Sequence, residues 1–286
     1  MSVVTTDALV DGVHFQSARW PPSAVGYKAM AVNLSDIASM GAKPRYALLA
    51  LCVPPTTSLR WLDSAAGGMA QACEAAGVDL VGGNVSRARD LSFTVTLIGE
   101  VRESLLLRRI GARPGDLVWM SGTAGDSALG LSSMLGRPGR ARRLSYLESR
   151  HCRPQPRVAL GQALAARRAT TTAIDVSDGL LADLGHLLEA SGVGARIELS
   201  RLPLSSAYRR AVRGLDDPFE AALFGGEDYE LLFTSPPARA PAIESAARAA
   251  RTAVSPIGEI KEGPGLLLVR EDGVEVEARA RGFRHL

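Results

Sequence analysis

The spacing of apolar positions changes period many times along the chain, and the sharpest change lies between Thr172 and Leu188. Ala173-Ile174 reads as the end of a strand. Beyond Gly179, the residues Leu180, Leu181, Leu184, Leu187 and Leu188 recur at helical spacing, which predicts a helix with one buried face. Ser177 or Asp178 is its expected N-cap. Asp175, Ser177 and Asp178 therefore stand where a strand hands over to a helix, the end of an α/β sheet at which ligands bind.

The same patterning divides the rest of the chain. A strand runs from Val3 towards Phe15, and Pro21-Pro22-Ser23 then opens a helix, capped by Ser23, that runs to about Met40 with Gly41 as its stop. Met30, Leu34, Ile37 and Met40 form its buried stripe, leaving Asn33 and Asp36 together on another face. Strands follow at Tyr46 to Val53 and at Val78 to Val81, with a helix from Ser58 to Gly77 between them. The second strand is expected to end in the turn Gly82-Gly83-Asn84-Val85-Ser86, where glycine amides can approach an anion. Ser92 to Val101 alternates like a strand of a mixed sheet.

The polar stretch from Arg108 to Asp116 places a boundary between domains of residues 1–112 and 113–286. Past it come a strand at Leu117 to Ser121, a helix through Leu135, a helix at Pro156 to Arg168, and the segment around Asp175. A strand at Ala195 to Leu199 and a helix at Ser205 to Arg213 lead to Leu223–Phe233, read as a Gly-Gly turn into a strand with Glu227 and Asp228 at the turn. A helix at Pro241 to Ala250 and three short strands, the last two joined by Asp272-Gly273, complete the chain. The expected fold class is α/β (α+β), two domains each with a mixed sheet backed by helices.

Composition narrows the function classes. With 286 residues, 46% of them hydrophobic, the chain can bury two cores. A net charge of +3 and the lack of a basic, aromatic-laced face exclude a nucleic-acid binder, leaving Arg137 to Arg143 as a solvated basic loop. No apolar run reaches membrane-spanning length, so no membrane partner is expected. Three cysteines without CxxC spacing argue against a disulfide framework and for a reducing, cytoplasmic setting. Four histidines show no zinc-type pairing.

The chemistry therefore rests on acids. Two carboxylates about 4 Å apart repel by about 4 kcal/mol at an effective dielectric of 20. A helix N-terminus offsets only about 0.3–1 kcal/mol per charge. A divalent cation would settle the rest, and oxygen-only ligands suit Mg2+; plain capping by Asp and Ser is the other reading of the same residues. The glycine-rich turn after Ser121 matches neither GxxxxGK[ST] nor GxGxxG.

Six segments in order, TTDALVDGVHF, YKAMAVNLSDIASMGAKP, GGNVSR, RRIGARPGD, AIDVSDGLLADLGHLL and GGEDYELLF, resemble the thiamine-monophosphate kinase family of the aminoimidazole-ribotide synthetase-like superfamily. The resemblance spans Thr5 to Phe283. It implies a homodimer joined through the N-terminal domains, and transfer of the γ-phosphoryl group of ATP to thiamine monophosphate. It also implies Mg2+ ligands at Thr6, Asp7, Asp36, Asp175 and Asp178, with Thr5 beside them and Asn84 where the family has another aspartate. Asp175 and Asp178 would be the catalytic acids. Gly83, Asn84, Arg109 and Ser177 would contact ATP, and His14, Glu227 and Phe283 the thiamine phosphate.

The family usually opens with a segment carrying Gly-Asp-Asp, which does not precede Thr5; the expectation is that it lies upstream of this sequence. Without it, and with Asn84 for aspartate, metal affinity is expected to fall. Three readings stay open: a working kinase, an impaired homologue that binds nucleotide or thiamine phosphate, and a sibling ATP-using enzyme.

Overall fold

A computed structural model describes residues 1–136 and 144–278. Arg137 to Arg143 and Phe283 lie outside the described residues.

The first sheet holds β1 (Ser2–Val10), β2 (Lys43–Val53), β3 (Asp79–Arg87) and β4 (Ser92–Glu100), in the spatial order β1-β4-β2-β3. Only β2 and β3 run parallel. The strand period of two sorts its residues by face. On the inner face one row across the sheet is Asp7, Val95, Leu49 and Gly83; on the outer face one row is Thr6, Thr96, Leu48 and Gly82 and another is Val4, Ile98 and Tyr46. Two helices cover the inner face, α1 (Pro22–Ser39) and α2 (Leu59–Ala76), over a core that includes Leu9, Phe93, Val95, Leu97, Met30 and Leu34.

The second sheet is mixed, in the order β11-β10-β7-β9-β5-β8-β6. Its strands are β5 (Leu117–Ser121), β6 (Thr172–Asp175), β7 (Gly194–Glu198), β8 (Leu231–Ser235), β9 (Val254–Lys261), β10 (Leu266–Val269) and β11 (Glu275–Glu277). Around it lie α3 (Asp126–Gly136), α4 (Tyr146–Cys152), α5 (Val158–Ala166), α6 (Leu180–Ser191), α7 (Ser206–Ala211), α8 (Glu220–Phe224) and α9 (Ala240–Ala250).

Helix α1 joins the two halves. It is buried nearly all round rather than along one stripe: Lys28, Asn33 and Ser35 are as buried as Met30 and Ile37. One side packs on the first sheet, while Ala38 joins Leu160, Leu164 and Phe233 in the core of the second. Glycines permit this crowding. A Cβ on Gly68 would lie 1.8 Å from the Ser23 carbonyl oxygen, one on Gly26 1.8 Å from that of Ala65, and one on Gly161 2.0 Å from that of Ala38.

Several local expectations are corrected. Pro21, not Ser23, is the N-cap of α1, because Pro22 takes the first helical position where its missing N–H costs nothing. The stretch Gly82-Gly83-Asn84 is no turn: β3 runs through it to Arg87, on an edge exposed along its whole length. Gly179 is the N-cap of α6, displacing Ser177 and Asp178. Gly225-Gly226 does not turn directly into a strand; an irregular segment, with Glu227 and Tyr229 at positive φ, carries the chain from Phe224 to Leu231. Helix α4 was not anticipated, although its capping box, Ser145 with Glu148, is written in the sequence.

The tight α1–α2 crossing yields a prediction. Gly68→Ala forces a backbone clash that only separation of the helices can relieve, and overpacking of this kind costs about 1–3 kcal/mol. Thermal melting should fall by several degrees, with the surface change Gly67→Ala, where a Cβ meets nothing within 4 Å, as the control.

Candidate active site

Three segments bring acids together. Strand β1 presents Thr5 and Asp7 on its inner face, α1 presents Asp36 to them, and β6 ends at Asp175 beneath α1. The Thr5 hydroxyl donates to Asp36 Oδ2, and the Ser35 hydroxyl donates to Asp175 Oδ2 at 2.7 Å. Burial first, and then the neighbouring Asp36 charge, push the Asp175 carboxyl up to about 7. Burial also raises Asp36, with Asp7 adding to the rise while the Thr5 hydroxyl and the Arg109 guanidinium oppose it.

The loop from Val176 to Gly179 continues the cluster. Its geometry depends on Asp183, whose Oδ2 accepts the backbone N–H groups of Ser177, Asp178 and Gly179 at 2.9, 3.0 and 3.2 Å. A side chain from the first turn of α6 thus does the work expected of an N-cap. Burial, then the Asp175 charge, raise Asp183 to about 7. Asp178, Asp183 and His186 hold ligand atoms within 4.8 Å of one another. The carboxylates therefore form a connected series, Asp7 to Asp36 to Asp175 to Asp183 to Asp178. Such a set of hard oxygen donors, with Asp175 and Asp183 each raised to about 7 by burial and by a neighbouring carboxylate, fits a divalent cation such as Mg2+.

Arg109 lies at the mouth of this cluster, where it shares a cavity of about 360 Å3 with Thr5, Asp36, Met40 and Leu107. On the opposite flank stands Glu227. Its N–H donates to the Ser177 carbonyl at 2.7 Å, which ties it to the acidic loop. Its carboxylate meets Lys28 Nζ at 2.9 Å and His151 Nδ1 at 3.3 Å, and feels the charge of His14. His14 Nδ1 accepts the Val10 N–H at 3.1 Å. The buried Tyr229 phenol is pushed well above its ordinary value by burial, and then by the charges of Glu227, Asp7, Asp175 and Asp36, so one tyrosine borders both flanks.

The other acids of GGEDYEL serve the frame. Asp228 accepts the N–H groups of Gly125 and Ser127 at 2.6 and 3.1 Å at the start of α3. Glu230, wholly buried, receives Arg150 at 2.6 Å, Arg157 at 2.5 and 2.6 Å, and the Ser121 hydroxyl at 2.6 Å.

Two residues stand away from the acids. Thr6 points to the outer sheet face, its hydroxyl 3.2 Å from both the Val95 carbonyl and Thr96 Oγ1. Asn84 shares its row with Ala8, with two strands between them, and three strand spacings of about 4.8 Å put it about 14 Å away within one chain. Its amide donates to Ser86 Oγ at 3.0 Å. Gly83 belongs to the same edge strand, with φ 151° and a Cβ position 1.9 Å from the Leu49 carbonyl oxygen. The alternation of a strand already separates Thr6 from Thr5 and Asp7. Asp183, Lys28 and His151 went unread: the first lay behind the expected cap, and the other two become site residues only through tertiary contact.

Two family models match the chain: AIR synthase related protein, N-terminal domain, over residues 1–101, and AIR synthase related protein, C-terminal domain, over residues 113–270. The thiamine-monophosphate kinase of Escherichia coli K12 is 41% identical over 285 residues, which cover 99% of this chain and 86% of that protein. The chain belongs to the thiamine-monophosphate kinase family. The kinase of Aquifex aeolicus is 36% identical over 286 residues, covering 99% of this chain and 87% of that protein. Among solved structures, the kinase of Stenotrophomonas maltophilia aligns with a TM-score of 0.87 at 38% identity, covering 96% of this chain and 86% of that one. A structure described as AaThiL complexed with AMPPCP and TMP aligns with a TM-score of 0.86 at 36% identity, over 100% of this chain and 87% of that one. The hydrogenase maturation protein HypE of E. coli, at 23% identity and a TM-score of 0.80, shares the fold.

Carboxyls raised by burial destabilise the metal-free fold as pH climbs. Their contribution is fully present below about 4, the unfolded value, and is lost as pH rises through about 7. Asp175→Asn should therefore melt higher than the parent in EDTA at pH 8, by at least about 2 °C, the shift that roughly 1 kcal/mol produces at this size. The difference should shrink towards pH 5.

Proposed function

We propose that this chain transfers the γ-phosphoryl group of ATP to the phosphate of thiamine monophosphate, giving thiamine diphosphate and ADP. A phosphate oxygen of thiamine monophosphate forms the new P–O bond, and the bond to the β-phosphate bridging oxygen breaks, its electrons leaving with ADP. The nucleophile is already anionic and no general base is needed. The barrier is one of bringing anions together in line. The observation that carries the reading is the convergence of Asp7, Asp36, Asp175 and Asp178 from three distant segments, with Glu227 and His14 beside them. Identities of 36–41% to proteins named thiamine-monophosphate kinase, over 99% of the chain, favour it over a sibling activity.

Asp7, Asp36, Asp175 and Asp178, with Thr5, would hold Mg2+, which would supply positive charge to offset that of the phosphates. Thr6, Gly83 and Asn84 join this reading only as contributors from the outer face and edge of the first sheet. Arg109 and the Ser177 loop would receive the nucleotide phosphates. Glu227 and His14 would receive thiamine monophosphate, with Phe283 as the aromatic partner that the family resemblance implies.

The two-domain division at residues 112 and 113 follows the matched segments and the separation of the sheets. A homodimer is supported by the outer face of the first sheet, where Val4, Tyr46 and Leu48 are 60%, 48% and 40% exposed beside an open β3 edge. Three free cysteines suit a cytoplasmic setting, and among the described residues no helix is long and apolar enough to cross a membrane.

Mass spectrometry of thiamine monophosphate incubated with ATP, MgCl2 and the chain tests the reaction. Thiamine diphosphate should accumulate, and Asp36→Asn or Asp175→Asn should lower kcat by about 100-fold or more. Calorimetric binding of both substrates without turnover would instead favour the impaired homologue. For the dimer, Leu48→Glu should convert the sedimenting species to monomer while the melting temperature changes little.

A further inference from the structure

Behind Glu227 lies a group that the phosphoryl-transfer chemistry does not use. Lys28, on α1, has no exposed side-chain surface, and its ammonium lies 2.9 Å from Glu227 Oε1. The same Nζ sits 5.3 Å from the centroid of the Trp20 ring, within cation–π range. His151, on α4, packs edge-on against that ring, the centroids 4.8 Å apart. Its Nδ1 faces Glu227 Oε2 at 3.3 Å and Ser127 Oγ at 2.9 Å. Among the described residues its Nε2 has no hydrogen-bond partner. Burial first, and then the Lys28 charge, hold His151 down to about 3, so the ring is neutral. A carboxylate faces Nδ1, so the proton belongs on Nδ1, where it can donate.

This arrangement is costly for stability alone. A buried lysine paired to a carboxylate that is 26% exposed gains less than an apolar side chain of the same volume would. The backbone beside it is also strained: Glu227 and Tyr229 both take positive φ, 65° and 51°. What the arrangement achieves is control of one carboxyl group. Burial works to raise Glu227, and the Lys28 ammonium overturns that and leaves the group below its ordinary value.

We propose that Lys28 and His151 are positioning residues that hold Glu227 as a fixed, ionised acceptor and thereby set the preference of the site for a cationic, amino-bearing substrate ring. The inference rests on Glu227 being the thiamine-phosphate contact. An ionised carboxylate accepts only. It therefore complements the amino group of the pyrimidine and the cationic thiazolium, whereas a protonated Glu227 would match neither. Lys28, itself held over the Trp20 ring, fixes one oxygen and His151 the other, leaving the exposed edge of the carboxylate to the ligand.

Calorimetry with thiamine monophosphate, and separately with a non-hydrolysable ATP analogue, tests this on the intact chain. Lys28→Met should weaken thiamine-monophosphate binding at pH 7 by well over twofold, because the burial of Glu227 is then uncompensated. Analogue binding should stay within about twofold. The loss should shrink towards pH 9, as the uncompensated Glu227 ionises again. On a Glu227→Gln background, Lys28→Met should add less than about twofold, the coupling expected of residues that act through one group. His151→Phe should weaken thiamine-monophosphate binding, and His151→Asn, whose amide can donate from the Nδ1 position, should restore most of it.

Equal losses for both ligands, a loss flat from pH 6 to pH 9, or full additivity with Glu227→Gln would each overturn the proposal. If Lys28→Met fails to fold, the His151 pair decides: unchanged binding in His151→Phe overturns it. Unchanged binding in Glu227→Gln alone would instead remove the assignment of Glu227, and the inference with it.

Discussion

Carboxylates gathered in a dry space repel one another, and in this chain the folded state keeps them together by spreading the cost over many backbone bonds. Asp36 and Asp175 each have a hydroxyl donor, from Thr5 and Ser35, and Asp183 has three amide donors. None of these donors carries a full positive charge, and the Arg109 guanidinium lowers both Asp36 and Asp175 only in part. The cluster is left with unmet negative potential in a cleft between two sheets. That deficit is what a metal–nucleotide complex would satisfy, so the destabilising feature of the free protein and its binding capacity are the same thing.

The segment GGEDYEL shows how a short run of acids is divided between holding and contacting. Glu230 is locked by two arginines and a serine and joins α4 and α5 to the second sheet; Asp228 caps the start of α3. Between these anchors, Glu227 and Tyr229 are forced into left-handed backbone, and Gly226 lies where a Cβ would come within 2.5 Å of the Ser177 carbonyl oxygen. The loop that would contact thiamine phosphate is thereby fastened onto the loop that would contact ATP.

Much of this was legible in the sequence because it is local. The leucine spacing of α6, the Ser58 cap and Gly77 stop of α2, and the Asp272-Gly273 hairpin each follow from a few neighbouring residues. The acids of AIDVSDG stood out for the same reason. What the sequence obscured was set by distant partners. Gly82-Gly83 looks like a turn until the parallel pairing with β2 draws it into a strand. Ser177 and Asp178 look like caps until Asp183 takes their amides. Lys28 looks like an exposed helix lysine until Glu227, 199 positions later, accounts for its burial.

Helix α1 carries Lys28 towards Glu227 and Asp36 towards the acids around Asp175, eight residues apart. At 1.5 Å per residue that spacing is about 12 Å, and at 3.6 residues per turn it sets the angle between them to about 80°. Buried on all sides and pinned by glycine contacts to α2 and α5, the helix can neither slide nor rotate. It therefore works as a fixed ruler between the two halves of the cleft. A one-residue insertion between positions 28 and 36 would swing one end by about 100°, enough to disconnect it from its partner. Lineages carrying this architecture should accept side-chain changes in that interval far more readily than changes in its length.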